Sequence, residues 1–156
     1  MYLSIIILIY TIFVLFFFND VIIFGNTFAS GDAFNPYAIH HILDQIRLAS
    51  SEWPQWQPWI FSGMPTLEAF TYVNLLYLPS YFLDLLGVSD LNIQFMHLVF
   101  SAVSMFYLVE KLIQNKKIAF ISGLLWMLNP FLITMIVYGH GSQMMTAAFF
   151  PITLLL

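Results

Sequence analysis

Apolar residues dominate four stretches of the chain, and polar or turn-forming residues separate them. The first stretch runs from Tyr2 to about Phe24 and the second from about Leu91 to Ile113. The third runs from about Ile118 to Tyr138, and the fourth from near Gln143 to Leu156. A helix needs about 20 mostly apolar residues to cross a bilayer. The pattern therefore predicts spans over 2–24, 91–113 and 118–138, with a truncated fourth over 143–156. Asn19 and Asp20 interrupt the first span near its end. An aspartate at mid-bilayer costs roughly 2.5–3.5 kcal/mol, which places Asp20 near the interface or against other helices. Ser89 and Asp90 are suited to cap the second span, because their side-chain oxygens accept from free first-turn N–H groups. Asn129-Pro130 predicts a kink in the third.

The segment from about Gly25 to Asp90 has a pattern of its own. Asn35 followed by Pro36 reads as an N-cap with proline at the first helical position. Ile39, Ile42, Leu43 and Ile46 then share one helical face, with His40, His41, Asp44 and Arg47 at more polar positions. Such an amphipathic helix suits a membrane surface or the flank of the spans. A second apolar stretch, from about Leu67 to Leu86, is interrupted at Pro79 and reads as a pair of short interfacial or re-entrant helices. Gly87 is its expected stop.

Composition places these elements in lipid. The chain has 156 residues, 61% hydrophobic and 8% charged, against about 25% charged in an ordinary soluble domain. The expected fold class is all-α: a polytopic transmembrane helical protein, read as one domain over 1–156. The apolar start lacks a basic leader region, so an uncleaved span is expected. The chain stops within an apolar run, as the N-terminal piece of a longer protein would. Three of the four basic residues, Lys111, Lys116 and Lys117, fall between the second and third spans. The positive-inside rule puts that connector in the cytoplasm. Alternation then places the N-terminus inside, and the 25–90 loop and 139–142 outside. No basic nucleic-acid patch is present, and the absence of cysteine excludes disulfides and thiolate metal sites.

Several polar residues can carry chemistry. Asp32, after Gly31 just beyond the first span, offers a carboxylate at the outer face, as a general base or metal ligand; the plainer reading is a solvated turn or cap. His40 and Asp44 are four apart and share a helical face. With His41 and Asp32 they are candidates for a divalent cation; the plainer reading is the polar face of an amphipathic helix. Trp53, Trp56 and Trp59 recur every third residue, with Pro54 and Pro58 between them. A polyproline II segment has three residues per turn and would align the three rings, either to stack on sugars or to anchor among headgroups. Phe61-Ser62-Gly63-Met64-Pro65-Thr66 reads as a tight turn, with Thr66 capping the next helix. Tyr138-Gly139-His140-Gly141-Ser142-Gln143 sets a histidine between glycines at a helix start. There His140, Ser142, Gln143 and free backbone N–H groups can contact an anion or substrate, or simply form a turn. Asn92, Gln94 and His97 sit in or near the second span, where polar groups face other helices or a cavity.

Taken in order, these motifs resemble a family: a first span, Gly31-Asp32, the Trp-Pro segment ending in Phe61-Ser62-Gly63-Met64-Pro65-Thr66, then Gly139-His140-Gly141-Ser142-Gln143. The chain resembles the N-terminal region of YfhO-like bacterial membrane proteins, which are similar to GT-C polytopic glycosyltransferases. The resemblance implies a GT-C-like N-terminal part in the bacterial cytoplasmic membrane, with interfacial helices in the first outer loop. It implies a polyisoprenoid-phosphate sugar as donor and a cell-envelope glycan acceptor. It also implies catalysis at the outer face by an acidic residue of the first outer loop, here Asp32, with His140 near the phosphate. A transporter or flippase-like module for lipid-linked substrates, and a non-catalytic scaffold, remain the alternative readings.

Overall fold

The computed structural model describes residues 2–52, 54–59, 61–66 and 77–156 of the chain. Most of them are helical. The helices are α1 (Tyr2–Phe17), α2 (Asn19–Ile22), α3 (Gly31–Ser50), α4 (Leu78–Leu85), α5 (Asp90–Ile113), α6 (Lys116–Met127), α7 (Pro130–Val137), α8 (Gly141–Ala148) and α9 (Phe150–Leu155). Two short strands, β1 (Trp56–Gln57) and β2 (Met64–Pro65), lie between α3 and α4. The chain divides into two compact units: Met1–Phe28 with Ser89–Leu156, and Ala29–Val88.

In the first unit α5 is central and packs against α1, α6, α8 and α9. Its start follows from Ser89, whose hydroxyl accepts from the Asn92 N–H at 3.4 Å. Its end follows from Gln114, which takes a left-handed conformation (φ 56°) and turns the chain into α6. Asn115 then caps α6 by accepting from the Lys117 and Ile118 N–H groups. At 24 residues, α5 is about 36 Å long at the α-helical rise, enough for a hydrocarbon core of about 30 Å. The stretch Lys116–Val137 has 22 residues and a mean hydropathy of 1.9. The expected kink is there: Asn129 accepts from the Phe131 N–H at 2.9 Å, and Pro130 opens α7. Among the described residues, two helices are thus long and apolar enough to cross a membrane. Only 33% and 22% of their apolar windows are buried, whereas the core helix of a soluble domain is mostly covered.

The other two expected spans are broken. α1 ends at Phe17 because the Asn19 amide takes the Phe16 carbonyl at 2.9 Å, and Phe18 leaves helical geometry (φ −115°, ψ 27°). Backbone bonds resume at once, from Ile22 N–H to Phe18 O and from Ile23 N–H to Asn19 O, so the stretch 2–22 is kinked. The fourth stretch begins at Gly141 and is interrupted at Phe149, ahead of Pro151. A proline has no N–H to give to the carbonyl four residues back.

α1 buries one seam, Ile6, Tyr10, Val14 and Phe18, spaced at i, i+4. Its other side exposes Leu8, Ile12 and Phe16. Tyr10 is fully buried, stacks on Phe120 at 5.2 Å, and donates its hydroxyl to the Phe120 carbonyl at 3.0 Å. Gly123 makes room for this contact. A Cβ there would overlap the Tyr10 hydroxyl and stand 2.7 Å from the Ala102 carbonyl oxygen. Small residues let membrane helices approach closely in this way, and α1, α5 and α6 meet at this point.

In the second unit α3 buries Ile39 and Leu43, while Ile42 and Ile46 sit exposed at the margin. The helix starts earlier than the Asn35-Pro36 cap predicts. It opens at Gly31, so Pro36 falls inside its second turn. The removed N–H leaves only the Asp32 carbonyl without its intrahelical donor, a loss the helix tolerates near its end. Trp56 pairs with Pro65 and Gln57 with Met64 in an antiparallel hairpin. Thr66 closes it, donating its N–H to the Gln55 carbonyl and its hydroxyl to Pro54. The helix start that Thr66 was expected to cap lies outside the described residues. The expected helical stretch over 67–76 lies outside the described residues. α4 begins at Leu78 with Pro79 in its first turn, where a missing N–H costs no intrahelical bond. Gly87 (φ +75°) ends that helix, with the Val88 N–H bonded to the Leu83 carbonyl at 3.0 Å. This is the left-handed stop that glycine favours.

Candidate functional site

The candidate residues fall into two groups, one in each unit. In the second unit, Asp32 occupies the first turn of α3 and is exposed. Its place follows from the helix opening at Gly31: an acidic side chain there meets the free N–H groups and positive end of the helix dipole. Among the described residues, no ion pair or side-chain hydrogen bond engages its carboxylate. That leaves it available as a proton acceptor. His41 is exposed and its Nε2 lies 3.0 Å from the Gln45 amide nitrogen. Asp44 pairs with Arg47 at 3.7 Å, both partly in solvent. The side chain of His40 lies outside the described residues. Among the described residues, no three His, Asp or Glu side chains converge on a point where a metal ion would sit.

The tryptophan segment is not a polyproline row. Trp56 is in a strand and its indole covers Gly63, whose Cβ position would stand 2.6 Å from the ring. Gly63 has φ +112°, so the turn and the ring together require glycine at this position. Trp56 and Trp59 are 55% and 43% exposed. Trp53 lies outside the described residues. The three-residue spacing was a true regularity of sequence, but pairing with β2 overrode the local helix it suggested.

The first unit brings together residues that are far apart in sequence. Gly139 (φ +85°) turns the chain after α7, and His140 precedes α8, its N–H bonded to the Met135 carbonyl at 2.7 Å. The His140 carbonyl accepts from the Gln143 and Met144 N–H groups at 3.0 and 3.1 Å. Ser142 and Gln143 are exposed, and the Ser142 carbonyl accepts from the Thr146 hydroxyl. Gly141 is buried against the side chain of Gln94, and any Cβ at Gly141 would overlap that amide. Gln94 thus meets the start of α8, a contact with no signature in the sequence beyond a polar residue in an apolar helix. One turn along α5, His97 is buried. Its Nδ1 lies 2.8 Å from the Ile93 carbonyl, and its ring meets Phe149 edge-on at 6.0 Å. Ser101 and Ser104 likewise bond within their own helix. Asn92 lies elsewhere: it lines a mainly apolar cavity of about 490 Å³ walled by α1 and α5, including Thr11, Val14, Phe95 and Val99.

The chemistry on offer is therefore an exposed carboxylate at one helix start and a polar cluster at another. No family profile, curated protein or solved structure matches the chain.

Proposed function

We propose that the protein is a membrane-embedded sugar transferase of the YfhO-like, GT-C type. Its donor would be a polyisoprenoid-phosphate sugar and its acceptor a cell-envelope glycan. The observation that carries this reading is Asp32: an exposed carboxylate on the first turn of the helix that follows the first apolar segment. Two helices of membrane-crossing length in the same chain, with mostly uncovered apolar faces, support a lipid-embedded site. In the proposed reaction the Asp32 carboxylate takes the proton of the acceptor hydroxyl. That oxygen bonds to the anomeric carbon, and the carbon–oxygen bond to the lipid phosphate breaks with its electron pair on the phosphate. Within the bundle, the polar start of α8, with His140, Ser142 and Gln143, is by itself a candidate anion contact, because the first N–H groups of a helix are anion donors. The proposed topology has the 25–90 segment outside and the Lys116–Lys117 turn in the cytoplasm.

The test compares wild type with Asp32→Asn in the native host at matched membrane levels, reading envelope glycans by mass spectrometry. Loss of one glycan, restored in part by Asp32→Glu, is the expected result. An unchanged profile with inserted protein rejects Asp32 as the base. The cavity between α1 and α5 favours a second reading, a flippase-like module that binds a lipid tail without turnover. In that case Asp32→Asn leaves the sugar linkage chemistry intact and changes only which side of the membrane the lipid-linked sugar occupies.

A further inference from the structure

The hairpin of residues 54–66 displays its aromatic side chains where a soluble protein would hide them. Phe61, in the turn, is 81% exposed, and Trp59 and Trp56 of the same hairpin are exposed as well. Phe61 and Ser62 both take left-handed backbone conformations, φ 48° and 61°. A bulky residue rarely adopts that region, so the turn holds the ring outward against a local preference for glycine or asparagine. The sequence from Trp53 to Thr66 contains no charged residue. Of the buried polar side chains, Thr66 closes the open end of the hairpin and Gln57 belongs to the strand pair next to the turn. The result is an uncharged hairpin with Phe61 exposed in its turn and exposed tryptophans along it.

We infer that this hairpin inserts its tip into the outer boundary of the lipid bilayer, with Phe61 as the inserted residue and Trp56 and Trp59 at headgroup level. The inference rests on the membrane-spanning reading given above, and it concerns a segment the proposed reaction does not use. Trp is favoured at the membrane–water interface because it joins an apolar ring to one N–H donor. Phe, with no polar atom, belongs deeper. The 29–88 unit that carries the hairpin lies in sequence between the apolar helices α1 and α5. That tether holds the tip at high local concentration near a bilayer. A sugar-stacking platform fits less well, since Trp56 spends one side of its indole on Gly63 and the Phe61 ring offers no hydrogen bond to a hydroxyl.

The chain has no cysteine, so single labels report unambiguously. The full chain is reconstituted into phosphatidylethanolamine–phosphatidylglycerol vesicles with one nitroxide label, at Ser62→Cys, Glu52→Cys or Leu125→Cys. Collisional access to oxygen and to a water-soluble nickel chelate is then compared. Leu125, exposed on α6, reports insertion of the bundle. The expected Ser62 label favours oxygen over nickel and sits about 5–10 Å below the headgroup boundary, while the Glu52 label stays in water. Adding Phe61→Asn, which suits the left-handed backbone but removes the ring, should move the Ser62 label back into water. An aqueous Ser62 label beside an immersed Leu125 label overturns the inference and leaves the membrane reading intact. An aqueous Leu125 label overturns both. A Ser62 label shielded from both probes means protein covers the tip and overturns the inference. So does a depth unchanged by Phe61→Asn.

Discussion

The helical bundle and the 29–88 unit both depend on glycine, for opposite reasons. In the bundle, Gly123 has an ordinary helical backbone and is required for space, because Tyr10 and the Ala102 carbonyl occupy the position of its absent Cβ. In the other unit, Gly87 has open space around it and is required for its φ of +75°. The same division extends to their neighbours. Among the described residues, three of the four non-glycine positions with positive φ, Ser51, Phe61 and Ser62, lie in the 29–88 unit. The fourth, Gln114, is the turn between α5 and α6. The bundle is built by close approach of straight elements, and the other unit by turns. In the first case many apolar side chains of the described residues stay exposed. In the second, an unusual backbone serves to present a few side chains.

The largest expected effect tests the space argument. Gly123→Ala should destabilise the bundle by about 1–3 kcal/mol, the range for overpacking a filled interior. Neither obstacle can yield easily: Tyr10 is fully buried and hydrogen-bonded, and the Ala102 oxygen is backbone. Unfolding of the purified chain in micelles, followed by circular dichroism against added dodecyl sulfate, measures it. An unchanged midpoint would mean that α1, α5 and α6 are not packed as described.

Next comes the dihedral argument, and the ranking of substitutions should reverse. At Gly87 the added methyl meets nothing within 4 Å, so Gly87→Ala carries only the left-handed penalty of roughly 1–2 kcal/mol. Asparagine tolerates that conformation, so Gly87→Asn should be milder than Gly87→Ala. At Gly123 asparagine is larger than alanine and should be worse. Hydrogen exchange of the Val88 amide, which the Leu83 carbonyl protects, reads the effect at Gly87. Equal protection in both Gly87 variants would remove φ as the cause.

What the sequence shows of this comparison depends on range. Local chemistry was readable: the Ser89 cap, the Asn129-Pro130 kink and the Gly87 stop all use residues within a few positions of each other. Helix breaks were readable only in part. Asn19 was visible as a polar interruption, but its capture of the Phe16 carbonyl needs the conformation. Pro36 pointed to a helix start one turn too late, since a proline near a helix end removes only one bond. The hairpin was hidden, because strands of two residues have no alternation to detect and their pairing joins Gln57 to Met64 across a turn. Of the candidate site, Asp32 stood out as a lone acid after an apolar run. The meeting of Gln94 with Gly141 did not, because it joins residues 47 positions apart by a contact that only packing creates.

The smallest effect isolates a single hydrogen bond at the same crossing. Tyr10→Phe keeps the ring stacked on Phe120 and removes only the hydroxyl that donates to the Phe120 carbonyl. That carbonyl belongs to α6, so the loss should act on the α1–α6 contact and leave the α5–α6 turn alone. Side-chain hydrogen bonds between membrane helices average about 0.6 kcal/mol, well below the overpacking expected at Gly123. The two changes also touch the same atoms, so they should not be additive. Removing the hydroxyl takes away the nearest of three obstacles to a Cβ at residue 123, leaving the Ala102 oxygen and the ring carbon Cζ, and the Tyr10→Phe, Gly123→Ala double variant should be less destabilised than the sum of the single variants. Strict additivity in the same micelle titration would separate the two residues and break the account of a three-helix crossing built around one tyrosine.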